Sequence, residues 1–320
     1  MRSSPATMTL VRGLRVGQVE TPDGTSGVTV TLFVPPAPVV VDVRGGASAT
    51  FDIASLGLDA TFGRRWAVFF AGGSLFGLDA ARGVRVRIAE TGGGQSAFGN
   101  PNPVIPISGA ALFDLPRRSG PVPDYLPLGY EAARRAGRAP VACGRVGAGA
   151  GATVGKYLGR ARAMLGGIGS AARRIGRLGA VGALVAANPV GAVRDPSNGR
   201  WLAGARGPRG EIQPPIERAR GRDRPTGTTL ALVAVELSVG RAALQRIAAM
   251  AHAGLASAIH PFHSSTDGDA VFVASTGVVR RSPREERPGE LADRLGTAAS
   301  ELAVAALLDA IRAANRSARR

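Results

Sequence analysis

Gly227-Thr228-Thr229-Leu230 joins two stretches of opposite character. The stretch from Arg206 to Pro225 is crowded with Arg and Pro, whereas Thr228 to Val235 is an apolar, β-branched run that reads as a buried strand. A hydroxyl residue therefore opens a strand directly after an exposed, cuttable connection. A Thr hydroxyl is a weak nucleophile until a base takes its proton, and a free α-amine on the same residue can be that base. The amine exists only once the bond before Thr228 is cut. With an unperturbed pKa of about 7.7–8.0 it titrates close to neutrality and needs little tuning. Gly227 opens backbone conformations closed to other residues and so helps the hydroxyl approach the preceding carbonyl. Taken alone, these four residues read more simply as a turn leading into a strand.

Other polar residues could join such chemistry. Asn188 interrupts the apolar run Ala186-Ala187-Asn188-Pro189-Val190-Gly191, and Pro189 biases it toward an extended backbone. A buried amide needs partners, and an amide at the end of a core strand suits an oxyanion donor, although locally a cap or turn is the simpler reading. His260 and His263 with Asp267 and Asp269 could compose a metal site. Their spacing, with Pro261 between, is not helical, so Asp267-Gly268-Asp269 reads more naturally as a tight turn whose carboxylates orient a neighbour. His252, among small apolar residues, reads as a core histidine. Gly147 to Ala152 satisfies a loose dinucleotide fingerprint without the acidic partner about twenty residues on. Gly155-Lys156 precedes Tyr157 where a phosphate loop needs Ser or Thr, so close-packed turns are the better account.

At 320 residues and 45% hydrophobic, the chain can bury an ample core. A net charge of +17 invites a nucleic-acid partner, but only 5% of residues are aromatic and the Arg side chains are strewn along the whole length. Lys156 is the one lysine. No nucleic-acid or membrane partner is expected. Cys143 stands alone, which excludes an intramolecular disulfide and a cysteine-rich zinc site. The first residues lack a continuous apolar stretch, and Leu178 to Val193 is broken by Gly182, Pro189 and Gly191. The expectation is a cytoplasmic protein.

The elements that must position these residues are mixed. Strands are expected at Val28–Val34, Val39–Val43, Trp66–Ala71, Val104–Ile107, Val141–Val146, Ala180–Ala187, Thr228–Val235 and Ala270–Ala274. Helices are expected through Leu78 and Ala81, around Tyr130–Arg135, from about Arg241 to Ile259, and from Glu290 to Asn315, where Leu291, Leu295, Leu302 and Leu308 share one side. Without regular βαβ alternation, this order predicts an α+β layered fold.

In order and spacing, these segments resemble the L-aminopeptidase/D-esterase (DmpA-type) and β-aminopeptidase family of self-cleaving N-terminal nucleophile hydrolases. The likeness runs through Leu14-Arg15-Val16-Gly17, Val43-Arg44-Gly45-Gly46-Ala47, Gly72 to Ala80, Val104-Ile105-Pro106, Phe113-Asp114-Leu115 and Gly147 to Lys156. It is closest from Met250-Ala251-His252 through Asp267-Gly268-Asp269 to Thr276-Gly277, so nearly the whole chain is covered. The resemblance implies one hydrolase domain over residues 1–320, folded as a four-layer αββα sandwich of the DmpA and ornithine acetyltransferase type. It implies cleavage between Gly227 and Thr228 into fragments 1–227 and 228–320, with 206–226 an exposed linker. It makes Thr228 the nucleophile and Asn188 the oxyanion donor, and it places Asp267 and Asp269 near the new amine. No cofactor or metal is implied. The implied reaction removes an N-terminal residue from a small peptide, amide or ester, in a homo-oligomer of processed units. Two alternatives share the fold: an acyltransferase using the same Thr228, and a non-catalytic oligomeric member.

Overall fold

A computed structural model describes residues 6–96, 99, 101–115, 120–215, 225–280 and 289–316. Nine strands form the main sheet: β1 (Leu14–Glu20), β2 (Gly27–Val43), β3 (Ala49–Phe51), β4 (Arg64–Ala71), β5 (Ile107–Ala111), β6 (Gly167–Arg174), β7 (Ala180–Asn188), β8 (Thr228–Leu237) and β9 (Ala270–Val279). Their order is β3-β5-β4-β2-β9-β8-β7-β6, with β1 against β2. Among the described residues, four α-helices accompany them: α1 (Ala80–Glu90), α2 (Tyr125–Arg134), α3 (Arg241–Ala258) and α4 (Glu290–Arg316).

The two strands expected at Val28–Val34 and Val39–Val43 are one strand of 17 residues. Its first half pairs with β1 and β4, its last residues pair with β9, and its register against β4 shifts between Leu32 and Ala37. Pro35 and Pro36 fall inside that shift, where a ladder donor is not needed. The sequence reads there as a break; in the fold it is a bend joining two halves of the sheet.

Among the described residues, three large apolar cores follow from strands buried on both faces, beside a small cluster of Tyr157, Val190, Ala192 and Ala205. Along β8, Leu230, Leu232 and Ala234 join Phe33, Val68, Phe70 and Phe272, whereas Ala231, Val233 and Val235 join residues of α3 and α4. The third core sets Ala80, Ala81, Val84 and Ile88 of α1 and Ala132 and Ala133 of α2 against Val28, Val30, Ala67 and Phe69. Cutting fully buried Leu232 back to Ala would cost about 2–5 kcal/mol. This double burial makes the register of β8 unambiguous, and with it the place of Thr228.

The expected strand at Val141–Val146 does not form: its only pairing is an isolated bridge from Gly144 to Ile168, and glycine-bearing turns take over. The strand expected at Val104–Ile107 begins only at Ile107, because Pro106 cannot donate to a ladder, and it continues through small residues to Ala111. β6, built of Gly, Ala and Arg around Ile168 and Ser170, lacks the β-branched signature and was not foreseen from composition. Within 206–226, Ala205–Arg206 and Ile212–Gln213 pair as a short hairpin. Residues 216–224 of that connection lie outside the described residues. Among the described residues, no helix is long and apolar enough to cross a membrane.

Candidate active site

Thr228 lies where three chain segments meet. It opens β8 directly opposite Asn188, the last residue of β7, in the antiparallel register that runs on to Val235 opposite Val181. On its other side, residues 225–227 run alongside 266–268. Thr266 Oγ1 donates to Pro225 O at 2.7 Å, Gly227 N–H donates to Thr266 O at 3.2 Å, and Gly268 N–H donates to Gly227 O at 3.0 Å. The Thr228 hydroxyl hydrogen-bonds that same carbonyl oxygen. The nucleophile expected from the sequence is thus seated on the carbonyl of the expected cut, and a backbone N–H already points at the oxygen that would gather charge during attack. Thr228 is almost fully buried.

Gly227 has a steric reason to be glycine. A Cβ there would stand 2.4 Å from Asp267 Oδ1 and 2.4 Å from Val190 N, closer than any side chain tolerates. The chain can bring this carbonyl against the acids only because nothing projects from residue 227.

The two acids close the site from the loop before β9. Asp267 Oδ1 accepts from Val190 N–H at 3.0 Å and Oδ2 from the Ser264 hydroxyl at 2.6 Å. Asp269 Oδ1 accepts from Thr229 N–H at 2.6 Å, and its Oδ2 accepts from His263 N–H at 3.1 Å and lies 3.0 Å from His263 Nδ1. Both side chains are fully buried. Burial, reinforced by the neighbouring Asp269, pushes the Asp267 carboxyl above its usual range, against the pull of the Ser264 and Val190 hydrogen bonds and of Lys156. His263 is therefore a hydrogen-bond partner of Asp269, the same residue that composition made a possible metal ligand. Among the described residues, no group of three His, Cys, Asp or Glu is placed to hold a metal ion.

Asn188 is fully buried and satisfied on both ends of its amide. Its Oδ1 accepts from Thr153 N–H at 2.9 Å and from Lys156 Nζ at 2.9 Å, and its Nδ2 donates to Phe113 O at 3.2 Å. The Asn188 amide donor is turned to Phe113 O, and Gly268 N–H is the backbone donor on Gly227 O.

Lys156 is the residue that sequence reasoning missed. Its Nζ is ringed by Asn188 O at 2.7 Å, Asn188 Oδ1, Thr153 O at 2.9 Å and Pro189 O at 3.3 Å. Burial lowers its pKa to about 7, partly countered by Asp267, Asp269 and Asp114. A signal was present: one lysine in a chain that otherwise uses Arg, and a compact ammonium fits a cage of carbonyl oxygens that a planar guanidinium would not. A cavity of about 240 Å³ opens beside it, lined by Phe113, Asp114, Gly151, Thr153, Lys156, Arg160 and Ala161. Arg160 lies over the Phe113 ring at 5.0 Å and donates to Thr226 Oγ1 at 3.0 Å, linking this cavity to the junction. His252 is buried as expected, with Nε2 2.9 Å from Asp42 O, but among the described residues its Nδ1 finds no partner.

Known proteins resemble this chain over nearly all of its length. The profile of peptidase family S58 matches residues 7–320. An uncharacterized aminopeptidase of Mycobacterium tuberculosis is 34% identical over 328 residues, covering 94% of this chain and 92% of the relative. A 6-aminohexanoate-oligomer endohydrolase of Kocuria is 30% identical, covering 93% of this chain and 84% of its own. In fold, the chain superposes on the L-aminopeptidase D-Ala-esterase/amidase of Ochrobactrum anthropi, described as a variant of the Ntn hydrolase fold, with a TM-score of 0.69 at 19% identity over 98% of this chain and 88% of that one. It also superposes on a Burkholderia β-aminopeptidase with a TM-score of 0.66 at 20% identity, over 96% and 87%.

Proposed function

The chain belongs to peptidase family S58 and is a hydrolase of the aminopeptidase type, and from that premise we propose that it activates itself by cutting between Gly227 and Thr228. The observation that carries this reading is the double engagement of Gly227 O, by the Thr228 hydroxyl on one side and by Gly268 N–H at 3.0 Å on the other. Thr228 Oγ bonds to the Gly227 carbonyl carbon, the bond from that carbon to Thr228 N breaks, and the hydroxyl proton ends on the released nitrogen. Water then hydrolyses the resulting ester, leaving a carboxylate on Gly227 and restoring the hydroxyl. The products are fragments 1–227 and 228–320, the second beginning with the nucleophile and its own base.

In the processed enzyme the Thr228 amine takes the hydroxyl proton as Oγ attacks a substrate carbonyl, and it returns that proton to the leaving amine or alcohol. An acyl ester on Thr228 is then hydrolysed. Asp267 and Asp269, which flank residues 227 and 229, stabilise the protonated amine. Asn188, held by Lys156 through Oδ1, keeps its Nδ2 on the side of the cavity and serves as the oxyanion donor once substrate replaces its contact with Phe113 O. The substrate is a small peptide, amide or ester entering beside Lys156. The three cores support a four-layer order in which α1 and α2 cover one half of the sheet and α3 and α4 the other. The family resemblance supports a homo-oligomer of processed units.

Intact-mass measurement of the purified protein tests the first step. Two fragments that split between 227 and 228 are expected; a single full-length mass after prolonged incubation overturns the reading.

A further inference from the structure

His263 has no part in the steps above, yet its ring is held on several sides. It is a non-glycine residue at φ 59, in the left-handed region. Its ring stacks on Phe262 with centroids 3.7 Å apart, and meets the His252 ring edge-on at 4.8 Å. His252 is itself fixed by Asp42 O. With the ring held on those sides, Nδ1 reaches Asp269 Oδ2 at 3.0 Å, and the His263 backbone N–H reaches the same oxygen at 3.1 Å. Both Asp269 oxygens already accept from backbone N–H groups, Oδ1 from Thr229 and Oδ2 from His263, so the ring fits this oxygen as a donor, in the tautomer with the proton on Nδ1. A loop residue held in a sparsely populated conformation while giving two hydrogen bonds to one buried oxygen marks a position that the surroundings over-determine.

The donors around the two acids are unequal in kind. Among the described residues, the Asp269 carboxyl meets nitrogen alone: the Thr229 and His263 backbone N–H groups and His263 Nδ1. The two backbone N–H groups cannot accept a proton from Asp269, and with its own proton on Nδ1 neither can the ring. Asp267 has one N–H partner, Val190, and one hydroxyl, Ser264, which can accept as well as donate and has a second hydroxyl, Thr266 Oγ1, at 3.4 Å. Two adjoining, fully buried carboxyls share a proton more readily than they hold two charges.

Resting on the proposed self-cutting mechanism, we propose that His263 is a positioning residue: its ring N–H commits Asp269 to the acceptor role, which leaves Asp267 to hold the shared proton and registers Thr229, and with it Thr228, on the bond to be cut. The upward shift of Asp267 agrees in direction. The same assignment serves turnover, because Asp269 then faces the new Thr228 amine as a fixed acceptor while Asp267 exchanges a proton with its hydroxyl neighbours.

The test separates the ring from its donor. His263→Phe keeps an aromatic face on Phe262 and lacks the donor; His263→Asn restores a donor and gives up the stack. Self-cutting is followed by denaturing electrophoresis and turnover on an aminoacyl nitroanilide. For His263→Phe, cutting and kcat are expected to fall about 10- to 100-fold with KM within about twofold, and His263→Asn is expected to recover most of that loss. His263→Phe cutting and turning over at wild-type rates overturns the proposal, and so does a loss that Asn fails to rescue, which would make the ring's packing the cause. Should either variant not fold, Asp269→Asn and Asp267→Asn decide: Asn resembles the protonated acid, so Asp269→Asn is expected to slow cutting at least tenfold more than Asp267→Asn, and the reverse order overturns the assignment. Wild-type protein that never cuts would sink the self-cutting reading before any variant is compared, whereas cutting that ignores residue 263 sinks only this one.

Discussion

One strand carries a buried carboxyl system at each end, and the two are built in opposite ways. Near the C-terminal end of β8, Glu236 is fully buried and met by donors alone: Arg12 N–H at 2.9 Å, Arg12 Nε at 3.0 Å, Arg12 Nη2 at 3.2 Å and Ala180 N–H at 3.1 Å. Burial by itself would push its carboxyl up, but the Arg12 side chain and the backbone N–H groups more than offset it and leave it below the usual range. At the N-terminal end, Asp267 has Asp269 as a neighbour and is pushed up, and Lys156 is brought down to about 7. A carboxylate matched to a guanidinium fastens the turn before β1 to the sheet. An acid raised and an amine lowered toward the same range, a short distance apart, are a setting in which protons can move.

The contrast can be broken or sharpened by four experiments. Thr228→Ala should do most, leaving a single uncut chain and lowering aminopeptidase activity by about 10³-fold or more, as read by intact mass and a nitroanilide assay. Any splitting between 227 and 228 in that variant contradicts the nucleophile assignment. At the other end, Glu236→Ala orphans the Ala180 N–H and removes the partner of a half-exposed Arg12 that water can still solvate; denaturant unfolding should show a loss of about 1–3 kcal/mol, with turnover of the processed fraction within about twofold of wild type. The sign of its pH dependence is also set. A depressed folded pKa stabilises above the ordinary Glu value and loses that contribution as pH falls through the lower folded value, so the variant should lack this part of wild-type acid destabilisation.

Gly227→Ala adds a Cβ 2.4 Å from Asp267 Oδ1 and Val190 N, and should slow self-cutting by about 10- to 100-fold in a time course, with far-UV dichroism unchanged. Lys156→Met has the smallest stability signature. Because the folded pKa is near 7 and the ordinary one 10.5, unfolding takes up a proton between those values, and stability from this group rises as pH climbs from about 7 toward 10.5. Wild-type melting temperature should therefore carry a rising component between about pH 7 and 9 that the Met variant lacks. An identical pH profile in both would mean that Lys156 is not the shifted group.

Much of the fold was legible because its strands are apolar along their whole length. Val39–Val43, Trp66–Ala71, Ala180–Ala187, Thr228–Val235 and Ala270–Ala274 all lie within sheet strands, and the expected long helices match α3 and α4. What escaped was built of residues without strand character, such as Gly167–Arg174, which earns its place from its neighbours β7 and α4. Within the site, the hydroxyl residue behind an Arg/Pro connection was visible as a type at a position. Lys156 was not, because nothing local to Gly155-Lys156-Tyr157 says that a lysine will be folded into a cage of carbonyl oxygens 32 residues further along the chain.

The sequence by itself determined which residues are able to react: a Thr at the head of a buried strand, a glycine before it, two acids around a second glycine, and an amide ending a core strand. Those follow from residue chemistry and short-range pattern, which the chain carries wherever it folds. Only the tertiary structure decided how they are matched. It set Asn188 opposite Thr228, turned that amide toward Phe113, pressed Gly268 N–H onto Gly227 O, and divided the acids between a hydroxyl and a histidine. Hydrogen-bond partnership and burial belong to pairs of residues far apart in sequence, so which proton is tight and which is loose exists only once the chain is folded.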